Sequence, residues 1–375
     1  MVKLKKLTLN ILTNLKFKDM KIKSLVIGFV ATALFFSACN NSSTDSKDKK
    51  GATIDKVTIV TQVTDENYGL AETQTIIQSY VKKIAEATGT NGVGVWMHNK
   101  KAANPKDRDI MRKNYDTMYS WIVLDLSTPA TLIMNDIGDR YQTMWVISEE
   151  HYNPFAFIEP GEYELTKENV GTPYAIVVVR TQANVTDPAD VALANKAQET
   201  LEIRQEKNGT YVASHKWDMD ELKAMRTKYQ TIAKEEKISP DRYFGKKGGP
   251  SLKEHNCGTA VGWGGFTKDQ AAYVDYYPTS DAPQTLTLKD VPAKAFWSIT
   301  VYDKEGFAVT ETYNINSQFA KTEKDGSVII NFGGDASQDN YMETFKDWTF
   351  ILRLYLPADE YLNGTWVRPE LAMVK

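Results

Sequence analysis

The sequence predicts a mainly β protein with inserted helices, an α+β chain whose strands pair antiparallel. Aromatic residues make up 11% of the 375 residues, with 19 Tyr and 8 Trp, and such flat side chains suit pleated surfaces. Short apolar runs separated by turn formers occur in both halves of the chain. Few helical patterns lie between these runs, which favours antiparallel pairing over parallel crossovers.

The first half of the chain body begins with a helix and continues into strands. Apolar residues recur at helical spacing from Asn67 to Ala87, and the turn-forming Gly89–Gly92 ends the pattern. Proline and glycine separate the next four apolar runs, which we interpret as strands. These runs cover Ser120–Leu126, Ala130–Asn135, Arg140–Ile147 and Tyr174–Gln182.

Two further helices are indicated by their first residues. Asp187 followed by Pro188 is typical of a helix start, with a carboxylate cap and then proline at the first helical position. The run DMDE, Asp218–Glu221, is an aspartate version of the capping box.

The second half is again rich in strands, and its last strand shows plain alternation. The predicted strands are Gln284–Val291, Ala295–Asp303, Gly326–Phe332 and Trp348–Leu356. Because side chains alternate along a strand, one face of the last strand is expected to carry Phe350, Leu352, Leu354 and Leu356.

The N-terminal region has the layout of a lipoprotein signal. The apolar run Leu25–Phe36 follows several lysines and is shorter than the roughly 20 residues that cross a bilayer. The residues FSAC, ending in Cys39, resemble the bacterial lipobox, in which cleavage leaves the cysteine N-terminal and acylated. We expect a signal peptide over residues 1–38, with Met20 as a candidate true start. The alternative is a simple signal peptide with Cys39 nearby by chance.

The residues after Cys39 are polar, so 39–65 is predicted to be a lipidated cysteine and flexible tether. Asn40 stands where retention in the inner membrane would favour aspartate. We therefore expect an outer-membrane anchor, at the periplasmic face or the cell surface, with the membrane as a partner through the lipid on Cys39.

Charge and motifs argue against several function classes. A net charge of −3 gives no electrostatic case for nucleic acid. The sequence has no G-x-S-x-G elbow, phosphate loop, G-x-G-x-x-G, C-x-x-C or H-E-x-x-H. Its four histidines are scattered, so a metal site would need convergence of distant segments. We expect no cofactor and no metal, and the oligomeric state is left open.

The stretch EHNCGTAVGWGG, Glu254–Gly265, raises the sharpest chemical question. His255 and Cys257 are interpretable as a base and a nucleophile, as two metal ligands, or as unrelated residues of a strand entering a turn. Strand spacing would put both on one face with Cα atoms about 6–7 Å apart. That separation is poor for proton transfer. A buried, inert thiol is favoured for Cys257, and His255 stays a candidate by itself.

Several stretches resemble the domain of unknown function 1254. They are NYDTMYSWIVLDLSTPATLIM from Asn114, RYQTMWVISEEHYNPF from Arg140, and VGTPYAIVVVRTQ with DPADV from Val170. The stretch EHNCGTAVGWGG resembles that family's linker region. Two positions depart from the family pattern, since Pro173 replaces a usual arginine and Cys257 a usually aliphatic residue.

The second half resembles the companion domain of unknown function 1214. The matching stretches are DVPAKAFWSITVYDKEGF, DGSVIINFGGD and FILRLYLP followed by NGTWVRPEL. The usual N-C-L-P segment is absent, and Asn340-Tyr341-Met342 stands there instead. The resemblance covers about residues 66–371. It implies two antiparallel β-sandwich or jelly-roll-like domains, 66–250 and 251–375, joined near Trp263. It implies no mechanism, because the activity of that family is not established.

Polar side chains inside the apolar strand runs predict a small-molecule site where the two domains meet. A buried arginine needs a carboxylate or other acceptors. The alternative for each residue is an internal partner or an exposed position. The candidate ligand-binding residues are Asn114, Tyr119, Arg140, Arg180, Trp263, Tyr302 and Arg353.

Hydrolysis is one chemistry that such a site would support. Its general base would be His255 or His151, with Asp116 to orient the base and Arg140 to stabilise negative charge. The alternative is a non-catalytic structural or interaction protein of the cell envelope, favoured by the scattered histidines and the absent nucleophile motif. The positions of five residues discriminate between the two hypotheses: Asn114, Tyr119, Arg140, His255 and Arg353. Their convergence on one pocket would favour the small-molecule site. Their dispersion, or internal partners for each of them, would favour the structural role.

Overall fold

The computed structural model describes residues 60–108 and 111–374. The predicted signal peptide, Cys39 and most of the predicted tether lie outside the described residues. None of the described helices has the length and apolar character needed to cross a membrane.

The predicted long helices are confirmed, with boundaries set by the expected caps. The side chain of Asp187 accepts from the amide of Ala189, and that of Asp218 accepts from the amides of Asp220 and Glu221. The α-helices of the described residues are α1 (Tyr68–Thr88), α2 (Lys167–Val170), α3 (Pro188–Glu199), α4 (Met219–Glu235), α5 (Leu252–Gly262) and α6 (Asp359–Leu362).

Each predicted strand has a counterpart in the structure, and several short strands were not predicted. The strands of the first half, residues 60–265, are β1 (Met97–His98), β2 (Thr117–Asp125), β3 (Ala130–Met134), β4 (Gln142–Ser148), β5 (Phe155–Phe157), β6 (Gly161–Leu165), β7 (Tyr174–Gln182) and β8 (Glu202–Gln205). Those of the second half, residues 266–374, are β9 (Ala271–Tyr276), β10 (Gln284–Leu288), β11 (Ala293–Tyr302), β12 (Asn314–Asn316), β13 (Val328–Phe332), β14 (Tyr341–Met342), β15 (Thr349–Pro357) and β16 (Ala372–Met373).

The described strands form four open sheets, two in each half. The first half has a five-stranded sheet of order β1-β2-β7-β4-β5 and a three-stranded sheet of order β6-β3-β8. The second half has the orders β12-β11-β15-β9 and β14-β13-β10-β16. All the pairings are antiparallel except β13 with β14. The predicted mainly β, antiparallel class is therefore confirmed.

Each half has its own apolar core, to which both of its sheets contribute. In the first half Ile122 and Val177 of the five-stranded sheet pack in one cluster with Leu132 and Leu165 of the three-stranded sheet. In the second half Phe350, Leu352 and Leu354 share a cluster with side chains from β10 and β13. Leu356 does not share that face as predicted. Its φ of 51° turns the chain, and the side chain packs near Tyr355 instead.

Helices α1, α4 and α5 form a helical layer with a shared apolar cluster that includes Tyr68, Tyr229 and Cys257. The prediction of a strand at His255 and Cys257 is wrong, because Ser251 and Glu254 form a capping box that starts α5. Residues two apart on a helix point in different directions. The pair therefore shares no face, and α5 packs with the helices of the first half rather than joining two domains as a glycine-rich turn.

The end of the predicted tether also belongs to the folded unit. Thr61 and Trp217 form an isolated parallel β-bridge, and the amide of Val63 donates to Oε2 of Glu221 at 2.8 Å. Val63 is buried and packs in the cluster of the helical layer. Residues 61–65, which were predicted to belong to the tether, are therefore part of the folded structure.

Candidate functional site

One end of the five-stranded sheet carries a row of polar side chains. The register places Tyr119 opposite Arg180, and Arg180 opposite Thr143. Because side chains two apart on a strand share a face, Gln182 and Tyr141 extend this row on the same side.

The second half covers this end of the sheet with aromatic rings. The ring of Tyr141 contacts Phe296 and Tyr355, with centroids 5.5 and 5.7 Å apart. Tyr273 and Tyr355 lie within electrostatic range of the guanidinium of Arg180. We call the polar row together with these covering rings the seam.

Arg180 is the unusual residue of the seam, because it has no acidic partner among the described residues. Its Cζ lies 3.8 Å from the ring centroid of Phe266 and 5.5 Å from that of Tyr119. Its Nε is enclosed and lacks any hydrogen-bond acceptor within the described chain. A guanidinium stays charged at all ordinary pH values, so the seam holds an uncompensated positive charge.

The neighbours of Arg180 on the same face are also poorly partnered. Both polar atoms of the Gln182 side-chain amide are buried and make no hydrogen bond within the described residues, and the hydroxyls of Tyr141 and Thr143 have only each other. Buried polar groups are paired in the great majority of native structures, and each exception needs a reason. Several orphaned groups around one unpaired guanidinium indicate a place where something else binds.

The carboxylate of Asp116, in contrast to the guanidinium of Arg180, has hydrogen-bond partners inside the protein. Oδ2 accepts from the hydroxyl of Ser298 at 2.6 Å and from that of Tyr355 at 2.7 Å. Oδ1 accepts from Nδ2 of Asn314 at 2.7 Å. All these donors come from the second half, so Asp116 fastens the two halves together and orients neither histidine.

Arg353 and Tyr302 add further hydrogen bonds between the two halves. We call these contacts, together with those of Asp116, the fastening. Arg353 donates to the hydroxyl of Tyr302 at 2.6 Å and to that of Thr300 at 2.9 Å. It also reaches the backbone oxygen of Arg112 at 3.1 Å, and Tyr302 donates to the oxygen of Lys113 at 2.8 Å. Burial raises the pKa of Tyr302, so its hydroxyl keeps its proton.

Two further predicted residues also have internal partners. Arg140 forms a two-armed ion pair with Asp190, at 2.6 and 3.2 Å. Asn114 accepts from the amide of Asp116 at 2.7 Å in the turn that leads into β2. These contacts account for both side chains without a ligand.

His151 is buried, and both of its ring nitrogens are occupied. The amide of Gly264 donates to Nε2 at 2.9 Å, so the proton sits on Nδ1, which lies 2.7 Å from the hydroxyl of Thr259. Burial, and then the neighbouring His255, hold the pKa of His151 well below its usual value. The ring cannot accept a proton without breaking one of these bonds. His151 therefore lacks the free lone pair that the predicted general base requires.

His255 lines a small cleft of about 160 Å³ between α1, α5 and the turn before β5. Its Nε2 donates to the backbone oxygen of Glu150 at 2.9 Å, and its ring stacks on Tyr152 with centroids 4.2 Å apart. With the proton on Nε2, Nδ1 is the basic nitrogen. Burial lowers the pKa of His255 to about 4, so the ring is neutral at physiological pH.

Trp263 and Cys257 have structural surroundings. Trp263 stacks on His151 and donates from Nε1 to Thr73 at 3.0 Å, which places it at the end of α5 rather than over the seam. Cys257 is buried among the helices, and burial raises its thiol pKa. No three His, Cys, Asp or Glu side chains gather as a candidate metal site within residues 60–108 and 111–374.

The predicted site residues thus separate into distinct places. Tyr119 and Arg180 lie in the seam, while Asp116, Tyr302 and Arg353 lie in the fastening beside it. His255 and His151 lie at the helical layer. The seam also contains residues that were not predicted to belong to a site: Thr143, Gln182, Phe266, Tyr273 and Tyr355. Strand pairing carries a signal for Thr143, which aligns with Arg180, but the covering rings come from distant segments.

The comparisons with known proteins give a partial family match and a fold. Residues 278–359 match the model of a family described as protein of unknown function, DUF1214. The resemblance predicted for this part of the second half is confirmed. No curated protein matches the chain.

Two solved structures of low sequence identity are similar to this chain. The VPA0106 protein from Vibrio parahaemolyticus is 17% identical, with a TM-score of 0.58 over 82% of this chain and 100% of its own. A putative uncharacterized protein from Burkholderia cenocepacia is 12% identical, with a TM-score of 0.46 over 83% of this chain and 88% of its own. The first likeness shows a shared fold.

Proposed function

We propose that this chain is an envelope lipoprotein that holds a small molecule in the seam between its two halves. The observation that carries this proposal is Arg180, a charged group with no acidic partner among the described residues, next to orphaned polar groups. Keeping an unpaired charge inside a protein costs free energy. A ligand that supplies the missing partner would offset that cost.

A screen for thermal stabilisation tests the seam. The full-length protein in a nonionic detergent would be unfolded by heating, with intrinsic tryptophan fluorescence as readout, against sugars, lipids, esters and small organic ions. Wild type and Arg180→Met would be compared. We expect a class of compound that raises the unfolding midpoint of wild type alone. Stabilisation by no class, or equal stabilisation of both proteins, would reject the seam as the binding place.

The anchor is part of the same proposal. The apolar run Leu25–Phe36 and the residues FSAC before Asn40 support acylation at Cys39 and an outer-membrane position. A first domain similar to the domain of unknown function 1254, and a β-sandwich or jelly-roll arrangement of both domains, also belong to this proposal. Cells expressing Cys39→Ser should lose fatty-acid labelling of the protein, and labelling that persists would rule out the anchor.

Hydrolysis at the cleft of His255 is a second candidate. Its support is a neutral imidazole in a cleft, with Nε2 bonded to Glu150 and Nδ1 left as the base. Lys247 lines the same cleft, where it forms an ion pair with Glu150 at 2.5 Å, and it would have to leave Glu150 to stabilise an anionic intermediate. His255→Ala should then lower the turnover of a small ester. Turnover that is unchanged in His255→Ala and His151→Ala would exclude this chemistry.

A non-catalytic structural or interaction role is the alternative. It is supported by the internal partners of Arg140, Asn114 and Arg353, which need no ligand. Under this alternative Arg180 would be a packing residue, and no compound would stabilise wild type over Arg180→Met.

A further inference from the structure

We infer that the seam binds a monocarboxylate with a flat, apolar body. This inference rests on the proposed function and adds the chemical class of the ligand. It draws on three independent features of the described residues: the local charge, the free hydrogen-bonding directions around Arg180, and the rings beside it.

The local charge calls for a single negative charge. The charged neighbours of the Tyr355 hydroxyl are Asp116, Arg353 and Arg180. One carboxylate and two guanidinium groups leave a net charge of +1. Asp116 accepts hydrogen bonds from Ser298, Asn314 and Tyr355 and makes no ion pair with Arg180. A monoanion balances this set, while a dianion would overcompensate it in an environment of low polarity.

The hydrogen-bonding directions call for a planar anion. Phe266 covers a face of the guanidinium at 3.8 Å, so the free N–H groups point outward in the plane of the group. A carboxylate matches such a fork with two parallel hydrogen bonds. The hydroxyls of Tyr141 and Thr143 lie beside Arg180 and have only each other as partners, so one of the two is free to donate to a carboxylate oxygen.

The neighbouring surface accounts for the flat body. Tyr119 stacks on Trp121, with centroids 5.7 Å apart and planes 14° apart, and Trp121 contacts Tyr80 at 5.6 Å. All three rings are only half-buried, so an aromatic strip leads away from Arg180. Tyr273 beside Arg180 is 40% exposed, which shows that the seam reaches solvent there. A ring attached to the carboxylate would stack on this strip.

Calorimetric titration of the full-length protein in nonionic detergent tests the ligand class. Benzoate is the probe. Benzamide is its neutral analogue, phenylphosphonate its dianionic analogue and acetate its analogue without a ring. We expect benzoate to bind at least tenfold more tightly than each of the other three. Arg180→Met should weaken benzoate at least tenfold, and Arg180→Lys should weaken it less. Arg204→Met, which removes an exposed arginine of β8, should leave it unchanged.

The outcomes separate this inference from the proposed function. Benzamide or phenylphosphonate binding as tightly as benzoate, with loss in Arg180→Met, would overturn the carboxylate class and keep the seam site. Acetate binding as tightly as benzoate would overturn the flat body. Benzoate that does not bind would overturn the inference, and the proposed function would fail with it if no class in the thermal screen depends on Arg180. A folded Arg180→Met variant, checked by its unfolding midpoint, is the condition for reading each comparison.

Discussion

Arg180 and Arg353 show how two arginines in apolar strands acquire opposite roles. Both were predicted from the same signal, a positive charge within an apolar run. Arg353 has acceptors in Thr300, Tyr302 and the backbone of Arg112, whereas Arg180 has aromatic rings and no acceptor among the described residues. The sequence indicated both residues but could not separate their roles, because the partners come from distant segments.

Removing these two charges should therefore have different effects on stability. Arg353→Met leaves the hydroxyls of Thr300 and Tyr302 without their donor. It also removes a positive charge that balances the buried carboxylate of Asp116, so we expect a loss of roughly 3 kcal/mol in the free energy of unfolding. Arg180→Met removes an unpaired charge and also the cation–π contacts with Phe266 and Tyr119, so we expect a change below about 1 kcal/mol in either direction. Urea denaturation without added ligand measures both. Equal losses in the two variants would make Arg180 a structural residue.

The buried His255 makes the free energy of unfolding depend on pH. Burial lowers its pKa from 6.5 in the unfolded chain to about 4 in the folded protein. Between these values the unfolded state binds a proton that the folded state does not, so this contribution to stability is lost as the pH falls below 6.5. Glu72 and Glu149 act in the opposite direction, because burial raises their pKa. The effect of His255 must therefore be read as a difference from a variant.

His255→Gln keeps a donor for Glu150 but cannot titrate. Between pH 7 and pH 4.5 we expect wild type to lose on the order of 2 kcal/mol more than this variant in the free energy of unfolding. Urea denaturation at the two pH values measures the difference. The same loss in both proteins would mean that His255 is not held neutral by the fold.

At the scale of elements, the sequence predicted the long helices and strands well and the glycine-rich stretch badly. The helices from Pro188 and Met219 were identified by their capping carboxylates, and the strand Tyr174–Gln182 by its continuous apolar run. Helix α5 was missed because its glycines are typical of turns and its capping box was not recognised. Gly258 allows close packing instead. A Cβ on Gly258 would lie 2.6 Å from Cβ of Tyr243.

Two glycine substitutions in α5 test this close packing. Alanine is a better helix former than glycine by about 1 kcal/mol, so Gly262→Ala, whose Cβ meets only Phe244 at 4.0 Å, should leave stability unchanged or raise it. Gly258→Ala should lower the free energy of unfolding by about 1–3 kcal/mol through overpacking. Thermal unfolding of both variants provides the measurement. Stabilisation of both would show that α5 does not approach Tyr243 this closely.

At the scale of the whole molecule, Asp116 joins two halves that each have their own core. The sequence predicted a junction of two parts and polar residues near it. It put the junction near Trp263 and did not identify the contacts of Asp116, because Asp116 meets Ser298, Asn314 and Tyr355 only after both halves have folded. The seam could not be predicted from the sequence either, because Arg180 and Tyr273 lie on different sheets.

Replacing Asp116 should weaken the whole molecule. Asp116→Asn turns an acceptor into a donor and leaves donors of the second half unsatisfied, so we expect a loss of about 3 kcal/mol in the free energy of unfolding. Asp275→Asn is the matched control, because it breaks an exposed ion pair with Arg112 and should cost less than about 1 kcal/mol. Urea denaturation compares them, and similar costs would show that the halves are not fastened at Asp116.

Binding of a carboxylate by Arg180 is open to direct observation. A crystal structure of the protein with 4-bromobenzoate, recorded at the bromine absorption edge, would show where the ligand lies. We expect an anomalous peak over the strip of Tyr119 and Trp121, with the carboxylate within hydrogen-bond distance of the Arg180 guanidinium. A carboxylate bound elsewhere, or an empty seam at a ligand concentration that saturates binding in solution, would contradict this expectation.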